Sequence, residues 1–272
     1  MPPNFIVWKW RNMDLQLKDK VVLITGGAKG IGAAIARGCA REGAIAVFVD
    51  KDADAARQLK KELSTNGAKC GAILTDVMPA ENCAAVVEQT VGEFGRLDVL
   101  VNNVGVNDNV GLEHGSPEKY VKSLELNLLH YYNMAHYALP ALKKSQGCIL
   151  NVASKVAMTG QGKTSGYTSA KGAILSLTRD WACELLPYGM RVNAIVPAEV
   201  MTPLYKWWLN TFTNPEEKLK HIVSKIPLGK RMTQPEEIAA MALFLISPQA
   251  SHVTGQHVLV DGGYVHLDRA LT

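Results

Sequence analysis

The chain has 272 residues, 47% hydrophobic and 20% charged, enough to bury a sizeable core at the upper size of one α/β domain. Its formal net charge of +4 is spread along the sequence without a basic run. That excludes the footprint of a nucleic-acid or anionic-membrane binder and leaves a small molecule as the expected partner.

The N-terminal MPPNFIVWKWRNMD lacks a basic start and a long apolar core, so it does not read as a signal peptide. No apolar run reaches the roughly 18 residues needed to span a bilayer. Residues 1–18 are read as an N-terminal extension, with Trp8 and Trp10 expected on the domain surface or against a neighbouring subunit, and residues 19–272 as one domain. Cys39, Cys70, Cys83, Cys148 and Cys183 are odd in number and never in metal-ligand spacing. They predict no metal site, reduced structural thiols and a cytoplasmic protein.

Short β-branched runs then alternate with segments of helical period. Strands are predicted at VVLIT (21–25), IAVFVD (45–50), AILTDV (72–77), DVLVNN (98–103), CILNVAS (148–154), RVNAIV (191–196) and HVLVDGG (257–263). Helices are predicted over 31–42, 53–66, 80–94, 117–146, 166–186 and 235–246, several opened by Ser-Pro or Gln-Pro-Glu-Glu. This alternation implies the α/β class, with about seven parallel strands covered by helices on both faces. Residues 198–230 break the rhythm and carry Trp207, Trp208 and Phe212. They read either as a lid or substrate loop or as a helix packing its aromatics into the core.

The first strand runs into TGGAKGIG, residues 25–32. Glycines at Gly26, Gly30 and Gly32 allow a tight turn and the approach of a pyrophosphate to the helix that starts at Ile31. Asp50 ends the second strand about 20 residues on, where an acid can accept from ribose hydroxyls and repel a 2′-phosphate. NAD is favoured on that ground. Lys29 and Lys51 pull the other way, and NADP stays open.

SGYTSAK, residues 165–171, sets Tyr167 and Lys171 on one helix face. A phenol with a reference pKa of about 10 is a poor base unless a cation sits close, and Lys171 is expected to supply one. Ser154 can hold a substrate oxygen while Tyr167 takes the hydroxyl proton. His114, His130 and His136 read as packing or surface residues, since no second ligand is suitably spaced.

With TGGAKGIG, NNVG at 102–105, Asn127 in LELNLL, Ser154 and the Tyr167/Lys171 pair in order, the chain resembles the short-chain dehydrogenase/reductase family over nearly its full length. The resemblance implies a Rossmann-like doubly wound fold and a catalytic set of Asn127, Ser154, Tyr167 and Lys171. It also implies that Asn127 holds a water joining the lysine to solvent and that Lys171 binds nicotinamide ribose. Asp76 and Val77 would lie against adenine, Thr202 at the carboxamide, and Asn103, Gly105, Pro197 and Val200 along the cofactor. Two departures from the family pattern, Val104 for alanine and Ala198 for glycine, are small apolar exchanges.

Three loops should reach the reacting carbon, and they offer Asn107, Asp108, Gln161, Lys163, Thr164 and Glu199. So many hydrogen-bonding groups suit a polyol, although Asp108, Lys163 and Glu199 also read as loop charges. VNDNVGLEHG, HYYNMAHY, TGQGKTSGY, PAEVMTPLY and the tail DGGYVHLDRALT resemble the branch that oxidises L-fucose and related aldoses at the anomeric carbon. Neighbouring branches act on hydroxysteroids or 3-oxoacyl thioesters. A non-catalytic nucleotide sensor would be expected to have lost Ser154, Tyr167 or Lys171. Glu199 is expected to accept bonds from two sugar hydroxyls. The apolar surface of the helices at 117–146 and around Tyr167 implies, as in related enzymes, a homotetramer.

Overall fold

Parallel strands that are apolar on both sides need cover on both sides, and the chain supplies it with alternating helices. The structure, a computed structural model, describes residues 14–268. Trp8 and Trp10 lie outside the described residues. The strands are β1 (Val21–Thr25), β2 (Ile45–Asp50), β3 (Cys70–Leu74), β4 (Val99–Asn102), β5 (Cys148–Val152), β6 (Arg191–Pro197) and β7 (His257–Val260). They form one seven-stranded sheet in the order β3-β2-β1-β4-β5-β6-β7, with every pairing parallel.

The helices are α1 (Gly30–Arg41), α2 (Ala53–Thr65), α3 (Ala80–Phe94), α4 (Pro117–Leu124), α5 (His130–Ser145), α6 (Ser165–Glu184), α7 (Pro203–Leu209), α8 (Pro215–Val223) and α9 (Pro235–Ile246). Alternate residues of β1 point to opposite faces and join different cores. Val22 and Ile24 pack with Ile35, Cys39, Leu59 and Leu243 under α1, α2 and α9. Val21 and Leu23 pack with Val86, Met134, Leu142 and Ile174 under α3, α5 and α6. The expected doubly wound sheet is present, and the cysteines are free.

Two expectations need correction. The third strand lies at Cys70–Leu74 rather than 72–77. Its partner β2 ends at Asp50, opposite Leu74, so Asp76 and Val77 fall in the loop beyond the sheet. The helix predicted over 117–146 is interrupted by a π-helical turn at Glu125–Leu129, which sets off α4 from α5. The insert at 198–230 forms the short helices α7 and α8, capped by Thr202 and Asn214. Its aromatics pack on one another, Trp208 lying edge-on to Tyr205 at 5.1 Å and to Phe212 at 4.9 Å, while Trp207 is 66% exposed.

At the opposite, amino-terminal edge of the sheet, the buried Asp98 carboxylate accepts from the Val21 N–H at 2.9 Å, from both arms of Arg96 and from Lys20. Asp98→Ala leaves that buried N–H without its partner, which costs about 1–3 kcal/mol. Denaturant unfolding should show that loss, with Asp98→Asn, which keeps an acceptor, losing less.

Candidate active site

The carboxyl ends of β1 and β4 lie side by side where the strand order reverses, and a cleft of about 430 Å³ opens there. Asn103 joins the two loops. Its side-chain amide donates to the carbonyl oxygens of Thr25 and Gly26, each at 3.0 Å, and its backbone N–H to Thr25 Oγ1 at 2.9 Å. Gly26 turns at φ +61°, and a Cβ on Gly32 would stand 2.3 Å from the Gly26 carbonyl oxygen. No side chain caps the first turn of α1, so its N–H groups remain for an anion. This cradle fits a dinucleotide diphosphate.

Gly26, Lys29, Gly30 and Ile31 line the cleft, as do Asp50, Lys51, Asp76, Val77, Asn103, Gly105, Pro197, Val200 and Thr202. Gly32 sits behind this lining. Asp50 accepts from the N–H groups of Ala28 at 3.1 Å and Asp52 at 3.0 Å. Lys29 pairs with Asp52, and Lys51 lies 3.7 Å from Asp76. Both lysines set against Asp50 in the sequence therefore have acidic partners of their own.

Ser154, Tyr167 and Lys171 share the facing wall. Ser154 leaves β5, and its hydroxyl accepts from the Val156 N–H at 3.5 Å beside the Tyr167 phenol. Lys171, only 2% exposed, donates to the Tyr131 hydroxyl at 3.0 Å and the Val152 carbonyl at 2.9 Å. Burial pushes the Lys171 ammonium down to about 7. Burial also pushes the Tyr167 phenol up to about 12, with the neighbouring Ser154 hydroxyl opposing the rise. The expected lowering of Tyr167 by Lys171 is not seen: burial dominates, and the lysine is itself desolvated and turned to Tyr131 and Val152.

Asn127 lies behind this wall, on the π-helical turn. It accepts from the Val106 N–H at 2.8 Å and donates to the Ser123 carbonyl at 3.1 Å. A Cβ on Gly105 would stand 3.0 Å from Lys171 Nζ and 3.3 Å from Asn127 Oδ1, so glycine keeps open the space where the two converge. His130, read as a packing residue, is buried; its Nε2 faces the Leu126 carbonyl, and burial lowers its pKa to about 3.

The expected substrate residues are less gathered. Asn107 Oδ1 accepts from the Asn109 N–H at 3.2 Å, Gln161 is exposed, and the buried Thr164 shares a hydroxyl bond with Thr168 at 3.1 Å. Asp108 Oδ1 is buried without a hydrogen-bond partner among the described residues. Glu199 is set behind the cleft lining, its two oxygens engaged by Lys155 and by the Tyr205 hydroxyl. It therefore does not present its carboxylate to the cleft as expected. Tyr131, Lys155 and Tyr205 were missed because no spacing rule marks them; only the adjacency of Lys155 to Ser154 was visible.

Residues 26–265 match the family described as enoyl-(acyl carrier protein) reductase. The chain is 40% identical to the L-fucose dehydrogenase of Mus musculus over 245 residues, covering 90% of this chain and 88% of that protein. It is 35% identical over 252 residues to the 3-oxoacyl-[acyl-carrier-protein] reductase FabG of Thermotoga maritima, covering 92% and 100% respectively. The crystal structure of the Cj0485 dehydrogenase superposes with a TM-score of 0.91 at 49% identity, covering 96% of this chain and 99% of that one. The chain belongs to the short-chain dehydrogenase/reductase family of oxidoreductases, whose members typically use NAD or NADP.

The lowered pKa of Lys171 has a consequence for stability. Between about 7 and 10.5 the unfolded chain holds a proton that the folded chain has released, so this residue makes stability rise with pH across that window. Below it the cost of the buried ammonium is constant. Lys171→Met should therefore raise the Tm more near pH 6 than near pH 9 in paired thermal melts. Equal gains at both would show that Lys171 does not titrate in this window.

Proposed function

We propose that the protein is an NAD-dependent dehydrogenase that oxidises the anomeric hydroxyl of L-fucose or a related aldose to the lactone. The reading is carried by the convergence of Ser154, Tyr167 and Lys171 on one wall of the cleft. Ser154 holds the reacting oxygen, and Tyr167 takes its proton. Lys171, with Nζ 5.6 Å from the centroid of the Tyr167 ring, favours the phenolate whenever it is protonated. Asn127 holds the loop after β4, and so the space at Gly105.

A bound nicotinamide dinucleotide supplies the hydride acceptor. Gly26, Lys29, Gly30, Ile31 and Gly32 would hold its diphosphate, Asp50 its ribose hydroxyls, and Asp76 and Val77 its adenine. Asn103, Gly105, Pro197, Val200 and Thr202 would line its nicotinamide half. The pairing of Lys29 with Asp52 and of Lys51 with Asp76 supports NAD over NADP.

Likeness to an L-fucose dehydrogenase and the polar loops at Asn107, Asp108, Gln161 and Thr164 support a sugar substrate. An acyl-thioester or carbonyl reductase is the second reading, supported by the family description, the Thermotoga relative and the exposed Leu204 on the cleft. A panel of L-fucose, D-arabinose, hydroxysteroids and 3-oxoacyl thioesters separates the two.

Purified protein should form NADH from L-fucose, and Tyr167→Phe should lower kcat/KM by roughly 10²–10⁴-fold while NAD affinity holds. Asp50→Ala should narrow the preference for NAD over NADP in the same assay. A wild-type preference for NADP would overturn the role given to Asp50. We further propose a homotetramer, supported by the exposed Val121, Leu129, Tyr132 and Tyr137 along α4, the π-helical turn and α5. Light scattering at micromolar concentration should give the mass of four chains.

A further inference from the structure

Behind the substrate side of the cleft lies a chain of polar contacts that begins next to Ser154. Lys155, 7% exposed, forms an ion pair with Glu199, and its ammonium lies 4.0 Å from the centroid of the Tyr264 ring. Glu199 Oε2 accepts from the Tyr205 hydroxyl at 2.6 Å. An ionised carboxylate accepts hydrogen bonds and donates none, so the tyrosine must commit its one hydroxyl proton to it. Burial and the neighbouring Glu199 charge push the Tyr205 phenol well above its usual range, and the proton stays in place.

Tyr205 itself lines the cleft. Its position is held from two sides: its N–H donates to Thr202 Oγ1 at 3.1 Å, and Trp208 packs edge-on at 5.1 Å. What this phenol can offer a bound molecule is its remaining acceptor capacity, with no proton to give.

We propose that Tyr205 contacts the substrate as a hydrogen-bond acceptor only, and so selects alcohols that carry a second free hydroxyl besides the one oxidised. Lys155 and Glu199 are positioning residues that act through Tyr205. The inference rests on the reading of the cleft as an alcohol-oxidising site and narrows its substrate class. A deoxy carbon opposite Tyr205 leaves its lone pairs unpaired, and an ether or carbonyl oxygen there meets another acceptor.

The test uses substrate pairs with NAD: L-fucose against its single-deoxy and single-O-methyl analogues, and cyclohexane-1,2-diol against cyclohexanol. Two quantities are read for each, kcat/KM and the equilibrium affinity of the NAD-loaded protein followed by tryptophan fluorescence, to which Trp208 beside Tyr205 contributes. Wild type should favour the hydroxylated member roughly ten- to a hundredfold, and Tyr205→Phe should bring that ratio towards one. Glu199→Gln, whose amide carbonyl still accepts the phenol proton, should keep the wild-type ratio. Glu199→Leu frees the proton, so the O-methyl analogue should gain on the deoxy analogue.

A purely structural role for Tyr205 predicts that Tyr205→Phe weakens every substrate alike and leaves the ratios unchanged, which overturns the inference. So does the lack of any wild-type preference within both pairs by both readouts. If L-fucose is neither bound nor oxidised, the sugar reading fails, and the diol pair still decides the role of Tyr205.

Discussion

The tie between the carboxyl ends of β1 and β4 is the constraint from which the rest of the cleft is measured. Thr25 and Asn103 form it with buried or half-buried backbone groups as partners, and Thr25 Oγ1 also meets the N–H of Val104 at 3.3 Å. Two loops that leave adjacent strands in opposite directions are thereby held at one separation. The start of α1 is placed on one side of it. On the other side the chain continues to Gly105 and to Val106, whose N–H is held by Asn127. Elements 78 residues apart in sequence thus behave as one rigid floor.

Charge is buried at two places around that floor, and the chain handles them differently. Lys171 has hydroxyl and carbonyl acceptors but no carboxylate partner among the described residues, and burial disfavours its ammonium accordingly. Lys155 faces Glu199 directly, a pair whose removal on one side would strand the other charge. The unpaired lysine is exposed to a proton equilibrium near neutrality; the paired one serves as scaffold. Stability is given up at the first site, as expected where a reactive group must change state.

Much of the architecture was legible because parallel strands and covering helices leave distinct periods in the sequence. IAVFVD and RVNAIV lie within a residue of where they were expected, and the glycine loop lies at the helix start it implied. The offset of β3 was hidden because CGAIL and AILTDV are equally compatible with an edge strand, and only pairing with β2 decides the register. Ser154, Tyr167 and Lys171 could be gathered from motif order alone. Lys155, Tyr131 and Tyr205 could not, since what joins them to the site is long-range packing between β5, α5, α6 and the insert. Glu199 was read as a sugar ligand or a loop charge, because the ion partner that holds it lies 44 residues away.

The π-helical turn at Glu125–Leu129 has an effect beyond placing Asn127. Each residue added to a helix swings everything after it by about 100° around the axis. Trimming one residue to restore a regular spiral would therefore rotate the whole of α5. Tyr131 would leave Lys171, and Met134 and Leu142 would leave their core. Side chains along this helix can be exchanged one at a time, but the irregularity cannot be removed without displacing all of them together. The turn works as a phase lock: it fixes the rotation at which every side chain downstream of it meets its partner.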